Sequence, residues 1–187
     1  MNPKHAKLIV LTGPSGAGLS EVVTGLFSGR DDLVSVLPVT ARKMKPGEQD
    51  GVGFRFYDLD GWNALKETGD LLETTEFAGN DYGTSRRLVE EQLSAGNCVL
   101  LNLEVSRAAQ VKANMPEAVC VYVAPSDPAE LRHRYEKTAR SRFEVSARMD
   151  LAEKEQAAAL AFCDAVTDST DPAAAVDCLN ELIDRIA

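Results

Sequence analysis

The residues with the most evident chemistry in this 187-residue chain are Gly13-Pro14-Ser15-Gly16-Ala17-Gly18-Leu19-Ser20, directly after the apolar run Leu8-Ile9-Val10-Leu11. A strand that ends in a glycine-rich turn and opens a helix is a cradle for phosphate: successive backbone N–H groups curl inward, and the helix dipole presents its positive end. In the pattern G-x-x-x-x-G-K-[ST], the lysine neutralises the outer phosphates and the hydroxyl ligates Mg²⁺. Here Gly13, Gly18 and Ser20 hold their places, but Leu19 stands where the lysine belongs. Gly13, Ser15, Gly16, Ala17, Gly18, Leu19 and Ser20 are therefore a candidate phosphate loop that has kept its backbone donors and lost its charge. Ser20 is the candidate Mg²⁺ ligand if ATP binds.

A second group of polar residues lies between positions 40 and 85. Arg42 carries a guanidinium that can meet a phosphate with two N–H donors, and the carboxylate of Glu73 can accept from two adjacent N–H groups at once. By themselves, Arg42-Lys43-Met44-Lys45 reads equally as a solvated charge run and Glu73 as an exposed strand residue. The context has to decide.

The elements that would position these groups follow from the apolar pattern. Apolar, β-branched runs at 7–11, 33–39, 98–103 and 118–123 alternate with segments of helical period at 19–27, 86–95 and 106–115. That alternation predicts parallel strands joined by crossover helices, hence a three-layer α/β domain. Further helices are predicted at 128–137, 143–162 and 172–186, the last opened by Asp171-Pro172, with a short strand at 165–167. From 40 to 85 the rhythm changes: a turn-rich 46–51, a strand at 53–59, a short helix at 61–67 and a strand at 71–77 describe a small β-rich insertion. Trp62 opens that helix and is read as a core anchor.

Composition narrows the function classes. A formal charge of -9 argues against general affinity for nucleic acid or an anionic membrane, both of which need a positive face. No apolar run reaches the length of a membrane span, and residues 1–7 are polar without the apolar stretch of a leader, so a cytoplasmic location is expected. Cys98, Cys120, Cys163 and Cys178 are too far apart for a C-x-x-C pair, and His5 and His133 lack ligand-spaced partners, so no protein-held metal is expected.

Three blocks, in order, resemble the guanylate kinase family over nearly the whole chain: Gly13 to Gly18; Thr40-Ala41-Arg42 with Pro46-Gly47-Glu48-Gln49-Asp50-Gly51; and Glu73 with Gly79-Asn80-Asp81-Tyr82-Gly83-Thr84. The resemblance implies a single domain of the three-layer P-loop NTPase fold. A parallel-sheet core would span 1–37, 86–124 and 146–187, an inserted GMP-binding subdomain 38–85, and a helical lid 125–145. It also implies transfer of the γ-phosphoryl of Mg-ATP to GMP or dGMP. On that basis Arg42, Arg134 and Arg148 would be catalytic, Arg42 and Lys45 would hold the GMP phosphate, and Tyr82 would hydrogen-bond it. Glu73 and Thr84 would read the guanine edge, with Gly83 and Glu104 completing the pocket.

Departures from the family pattern accompany these matches. Besides Leu19, the hydroxyl-bearing positions of the family are Pro38 and Phe54 here, its second phosphate arginine is Lys45, and its L-D-I-D-x-Q-G run is Leu101-Asn102-Leu103-Glu104-Val105-Ser106-Arg107. These changes predict a catalytically weakened or inactive copy that keeps a GMP-like pocket for a nucleotide, or for a phosphorylated or acidic protein segment. Two alternatives stand beside it. One is an active divergent kinase with Arg107, Arg140 or Arg142 as replacement cation; the other is a kinase for a different small phosphorylated substrate, such as a phosphorylated ribose.

Overall fold

The computed structural model describes residues 6–186; residues 1–5 and 187, including His5, lie outside the description. In chain order the elements are β1 (Leu8–Thr12), α1 (Leu19–Gly29), β2 (Leu33–Val34), β3 (Val39–Thr40), β4 (Arg55–Phe56) and α2 (Leu59–Glu67). They continue with β5 (Leu71–Phe77), β6 (Asn80–Ser85), α3 (Arg86–Ser94), β7 (Cys98–Asn102), α4 (Val105–Asn114) and β8 (Val119–Ala124). Last come α5 (Pro128–Thr138), α6 (Arg142–Ala159), β9 (Ala165–Asp168) and α7 (Pro172–Ile186).

A five-stranded sheet of order β2-β7-β1-β8-β9 forms the core, and all its pairings are parallel. Its strands read as continuous apolar runs because both faces are covered. Ile9, Leu11, Leu100 and Val121 face α1 and α7, packing with Val22, Leu26, Leu179 and Ile183. Leu8, Val10, Val99 and Cys120 face the opposite way, onto Val89 of α3 and Ala108 and Val111 of α4. Strand alternation thus produces three layers, and the fold is the α/β P-loop architecture. The chain leaves β1 for β2 on one side and later returns to β8 on the other. The turn after β1 therefore opens at a topological switch point, where α/β sheets hold their ligands.

The second sheet, order β4-β3-β6-β5, differs from expectation in three places. The 33–39 run does not form one strand: Leu33–Val34 pairs with β7 in the core sheet, whereas Val39–Thr40 pairs with β4 and β6 in the second. The intervening residues cross from one sheet to the other. The expected strand at 53–59 is reduced to Arg55–Phe56, because the preceding segment turns, with the Gly51 N–H donating to the Phe54 carbonyl and the Phe56 N–H to Asp50. Asn80–Ser85, for which no strand was expected, is the second sheet's inner strand and pairs with both β3 and β5. Its polar, glycine-containing sequence has low strand propensity, so tertiary pairing decides its conformation. Trp62 is buried beneath this sheet, consistent with a core anchor. Helices α5 and α6 pack on each other around Leu131, Tyr135, Val145 and Ala152.

Candidate functional site

The loop between β1 and α1 has the backbone of an anion cradle. Gly16 and Gly18 adopt φ of 81° and 85°, a region that L side chains rarely enter, and this lets the loop turn tightly into the N-terminus of α1. Gly13 is required for a different reason: a Cβ there would lie 2.1 Å from the Val123 carbonyl oxygen, so β8 passes too close for any side chain. Together Gly13, Ser15, Gly16, Ala17, Gly18, Leu19 and Ser20 line a cavity of about 840 Å³. Leu19 is half-buried and packs against the apolar layer of Ile9, Leu11 and Val22. Ser20, the candidate Mg²⁺ ligand, is exposed one residue into the helix.

The charges around this cradle do not favour a polyphosphate. Glu21, Glu104 and Glu155 line the same cavity, and among the described residues lining it Arg134 is the single cation. Burial, with Glu104 nearby, pushes the Glu155 carboxyl above the ordinary carboxylate range. Arg134 is tied down: Nε donates to Glu130 at 2.9 Å, and Nη2 donates to the Ser169 and Thr170 carbonyls at 3.0 and 3.2 Å. Arg148 lies over the Tyr135 ring at 4.0 Å, with Nη1 donating to Thr138 at 3.0 Å and Nη2 reaching Ser15 at 3.5 Å. Both arginines thus stitch α5 and α6 to the loop. Among the described residues, no group of three or more His, Cys, Asp or Glu could hold a metal. The loop backbone fits an anion; the side chains do not supply the charge that a Mg-triphosphate needs.

The second cavity, about 640 Å³, is lined by Arg42, Lys45, Tyr82, Glu104 and Arg107 among others. Glu104 therefore lines both cavities. The Arg42 side chain, 8% exposed, lies 5.0 Å from the ring centres of both Phe54 and Phe56. Its Nη1 and Nη2 each donate to Glu48 at 2.6 Å, which also accepts from the Lys45 backbone N–H at 2.7 Å. The Arg42 fork and the Lys45 amide hold the Glu48 carboxyl down at a pKa of about 2, and Glu48 holds Arg42 above its usual range. Sequence reasoning missed this pairing, although Glu48 sits in the quoted turn six residues after Arg42. A carboxylate already occupies the two-donor edge that a phosphate would use.

Glu73 is positioned by strand register. Residues 73 and 84 are paired across β5 and β6, which places the Thr84 hydroxyl 2.7 Å from Glu73 Oε1 as donor. Gly83, buried beside them, lets β5 approach, since a Cβ there would meet the Glu73 carbonyl oxygen at 2.7 Å. The other Glu73 partner is Arg107, whose Nε donates to Oε2 at 2.6 Å and Nη2 to Oε1 at 2.8 Å. The Glu73 side chain is 0% exposed and that of Arg107 20%. Arg107 lines the cavity; Glu73 and Thr84 lie behind it. This pair holds the Arg107 guanidinium above its ordinary range. One polar row on α4 keeps the helix against β5: Gln110 bonds both the N–H and C=O of Thr74 at 3.1 Å, and Asn114 donates to the Leu72 carbonyl at 2.9 Å. The arginine at position 107 was visible in the sequence as a departure from the family glycine, but its partner was not.

An all-parallel sheet whose central strand runs into a glycine cradle at a helix N-terminus defines a P-loop α/β phosphate-binding protein. The family model described as Guanylate kinase matches residues 5–186. The chain is 44% identical over 133 residues to a guanylate kinase of Thermobifida fusca, covering 71% of this chain and 68% of that one. To a guanylate kinase of a Synechococcus strain it is 38% identical over 152 residues, covering 81% and 70%. In fold it is similar to the crystal structure of guanylate kinase from Anaplasma phagocytophilum, with a TM-score of 0.66 at 24% identity, covering 97% of this chain and 86% of that one. The chain belongs to the guanylate kinase family.

Proposed function

We propose that this chain is a guanylate kinase homologue that binds GMP or dGMP in the cavity of Arg42, Lys45 and Tyr82 and has lost most of its phosphoryl transfer. The observation that carries the reading is Leu19: it packs into the apolar layer under the loop while the cavity above it is lined by Glu21, Glu104 and Glu155 against Arg134. Phosphoryl transfer asks a protein mainly to place the reactants and to cancel charge on the transferring oxygens. Losing one preorganised donor costs about 10²–10³ in rate, and here a full charge is absent among carboxylates.

The remaining groups of this chain support binding. Tyr82 and Lys45 offer an O–H and an ammonium to a phosphate, and Arg42, held between Phe54 and Phe56, offers a third donor if the phosphate competes with Glu48. The test is calorimetry with GMP, with Mg-ATP and with both, beside a coupled transfer assay. GMP should bind, Mg-ATP should bind weakly, and transfer should be near background. Turnover in the range of about 1–100 s⁻¹ usual for kinases would overturn the reading.

A further inference from the structure

Guanine presents N1–H and N2–H as two parallel donors on one edge of a cyclic guanidine. A guanidinium presents the same pair through Nε–H and Nη–H, with a positive charge added. Arg107 makes this two-point contact with Glu73, at 2.6 and 2.8 Å, and the third acceptor direction of Glu73 is filled by Thr84 at 2.7 Å. The carboxylate has no exposed surface. Arg107 forms part of the cavity wall, whereas Glu73 and Thr84 do not.

We propose that Arg107 is a specificity-determining residue that occupies the guanine-reading acceptors of Glu73 from within the chain, so that the pocket takes small phosphomonoesters such as sugar phosphates about as well as guanine nucleotides. The proposal rests on the reading of this cavity as a monophosphate pocket. A neutral guanine edge has to displace a charged donor pair, and charge-assisted hydrogen bonds are about twice as strong as neutral ones. Displacement also costs Arg107 both of its hydrogen bonds to Glu73, and the helix that carries it stays fixed by the Gln110 and Asn114 contacts to β5. A ligand without the base has nothing to displace. It needs only the phosphate donors of Arg42, Lys45 and Tyr82.

The experiment compares GMP with ribose 5-phosphate as probes, by calorimetry, on the wild-type chain and on Arg107→Ala and Arg107→Lys. In the wild type the two dissociation constants should agree within about threefold. Arg107→Ala should tighten GMP by about 10–100-fold, the worth of one or two hydrogen bonds to a charged group, and leave ribose 5-phosphate nearly unchanged. Arg107→Lys, which keeps the charge but loses the two-donor fork, should fall between. Because Arg107→Ala leaves a buried carboxylate and can fail to fold, the Arg107 Nε–H resonance of the ¹⁵N-labelled wild-type chain supplies a second readout. It should be undisturbed by saturating ribose 5-phosphate and shift on forced binding of GMP. A wild-type chain that binds GMP far more tightly than ribose 5-phosphate, with the Arg107 resonance shifted at low GMP, overturns the proposal while leaving the monophosphate pocket standing. Failure of both probes to bind any of the proteins removes the pocket and the proposal with it.

Discussion

Replacing Leu19 with lysine should strengthen Mg-ATP binding without restoring an ordinary kinase. A lysine at the head of α1 can lay its stem over Ile9, Leu11 and Val22, where Leu19 now packs, and carry its ammonium into the cavity. At about 4 Å from a phosphate oxygen and an effective dielectric near 20, one new unit charge is worth about 4 kcal/mol. At about 1.4 kcal/mol per factor of ten, that sets a ceiling near 10³ in affinity. Glu21, Glu104 and Glu155 line the same cavity and compete for the ammonium, so the expected gain is about 10–100-fold. Leu19→Lys with Glu155→Gln should exceed the single variant. Transfer has a further requirement, since reacting atoms must sit about 3–3.5 Å apart and a misplacement of about 1 Å costs about 10². The acceptor end is altered independently, by Phe54, Pro38 and Lys45 in the cavity wall. Binding is read by calorimetry and turnover by a coupled assay. If Leu19→Lys alone turns over at the rate of an ordinary family member, the acceptor site is intact and the argument from a drifted site is wrong.

Other consequences are open to stability measurements. Arg107→Met should destabilise by about 3–5 kcal/mol because it strands the buried Glu73 charge. Glu73→Gln should cost about 1–3 kcal/mol, since Arg107 is 20% exposed and can turn outward. Denaturant melts of the pair and the double variant should show coupling, and strictly additive losses would contradict the described contact. The Glu48 carboxyl titrates at about 2 when folded against an ordinary value of 4.5, so its pairing with Arg42 stabilises the chain above the ordinary value and is lost as pH falls from there towards 2. The gap in urea midpoint between wild type and Glu48→Gln should therefore be constant near neutrality and close in acid; a gap that persists there would refute the pairing. Thr12 is fully buried, and its hydroxyl has no partner among the described residues. Thr12→Val should be neutral or stabilising by up to about 1 kcal/mol, and a lower melting temperature would show an unseen partner for that hydroxyl.

Much of the architecture was legible without coordinates. The continuous apolar runs at Leu8–Thr12, Cys98–Asn102 and Val119–Ala124 report burial on both faces, and that alone implies parallel strands between helical layers. The glycine spacing of the loop and the missing lysine were equally plain, because both are properties of consecutive residues. What the chain could not reveal is set by registers and docking between distant segments. The 33–39 run looks uniform, yet its two ends join different sheets; the polar Asn80–Ser85 becomes an inner strand because β3 and β5 flank it. Arg107 meets Glu73 across 34 residues only because the β5–β6 register points that carboxylate inward and α4 docks against β5. Glu155 reaches the loop cavity only through the packing of α6. Local pattern reports which face of a segment is buried. Which charges then come together on the buried side is decided when the segments meet, and in this protein those meetings determine which groups of the pocket remain available to a ligand.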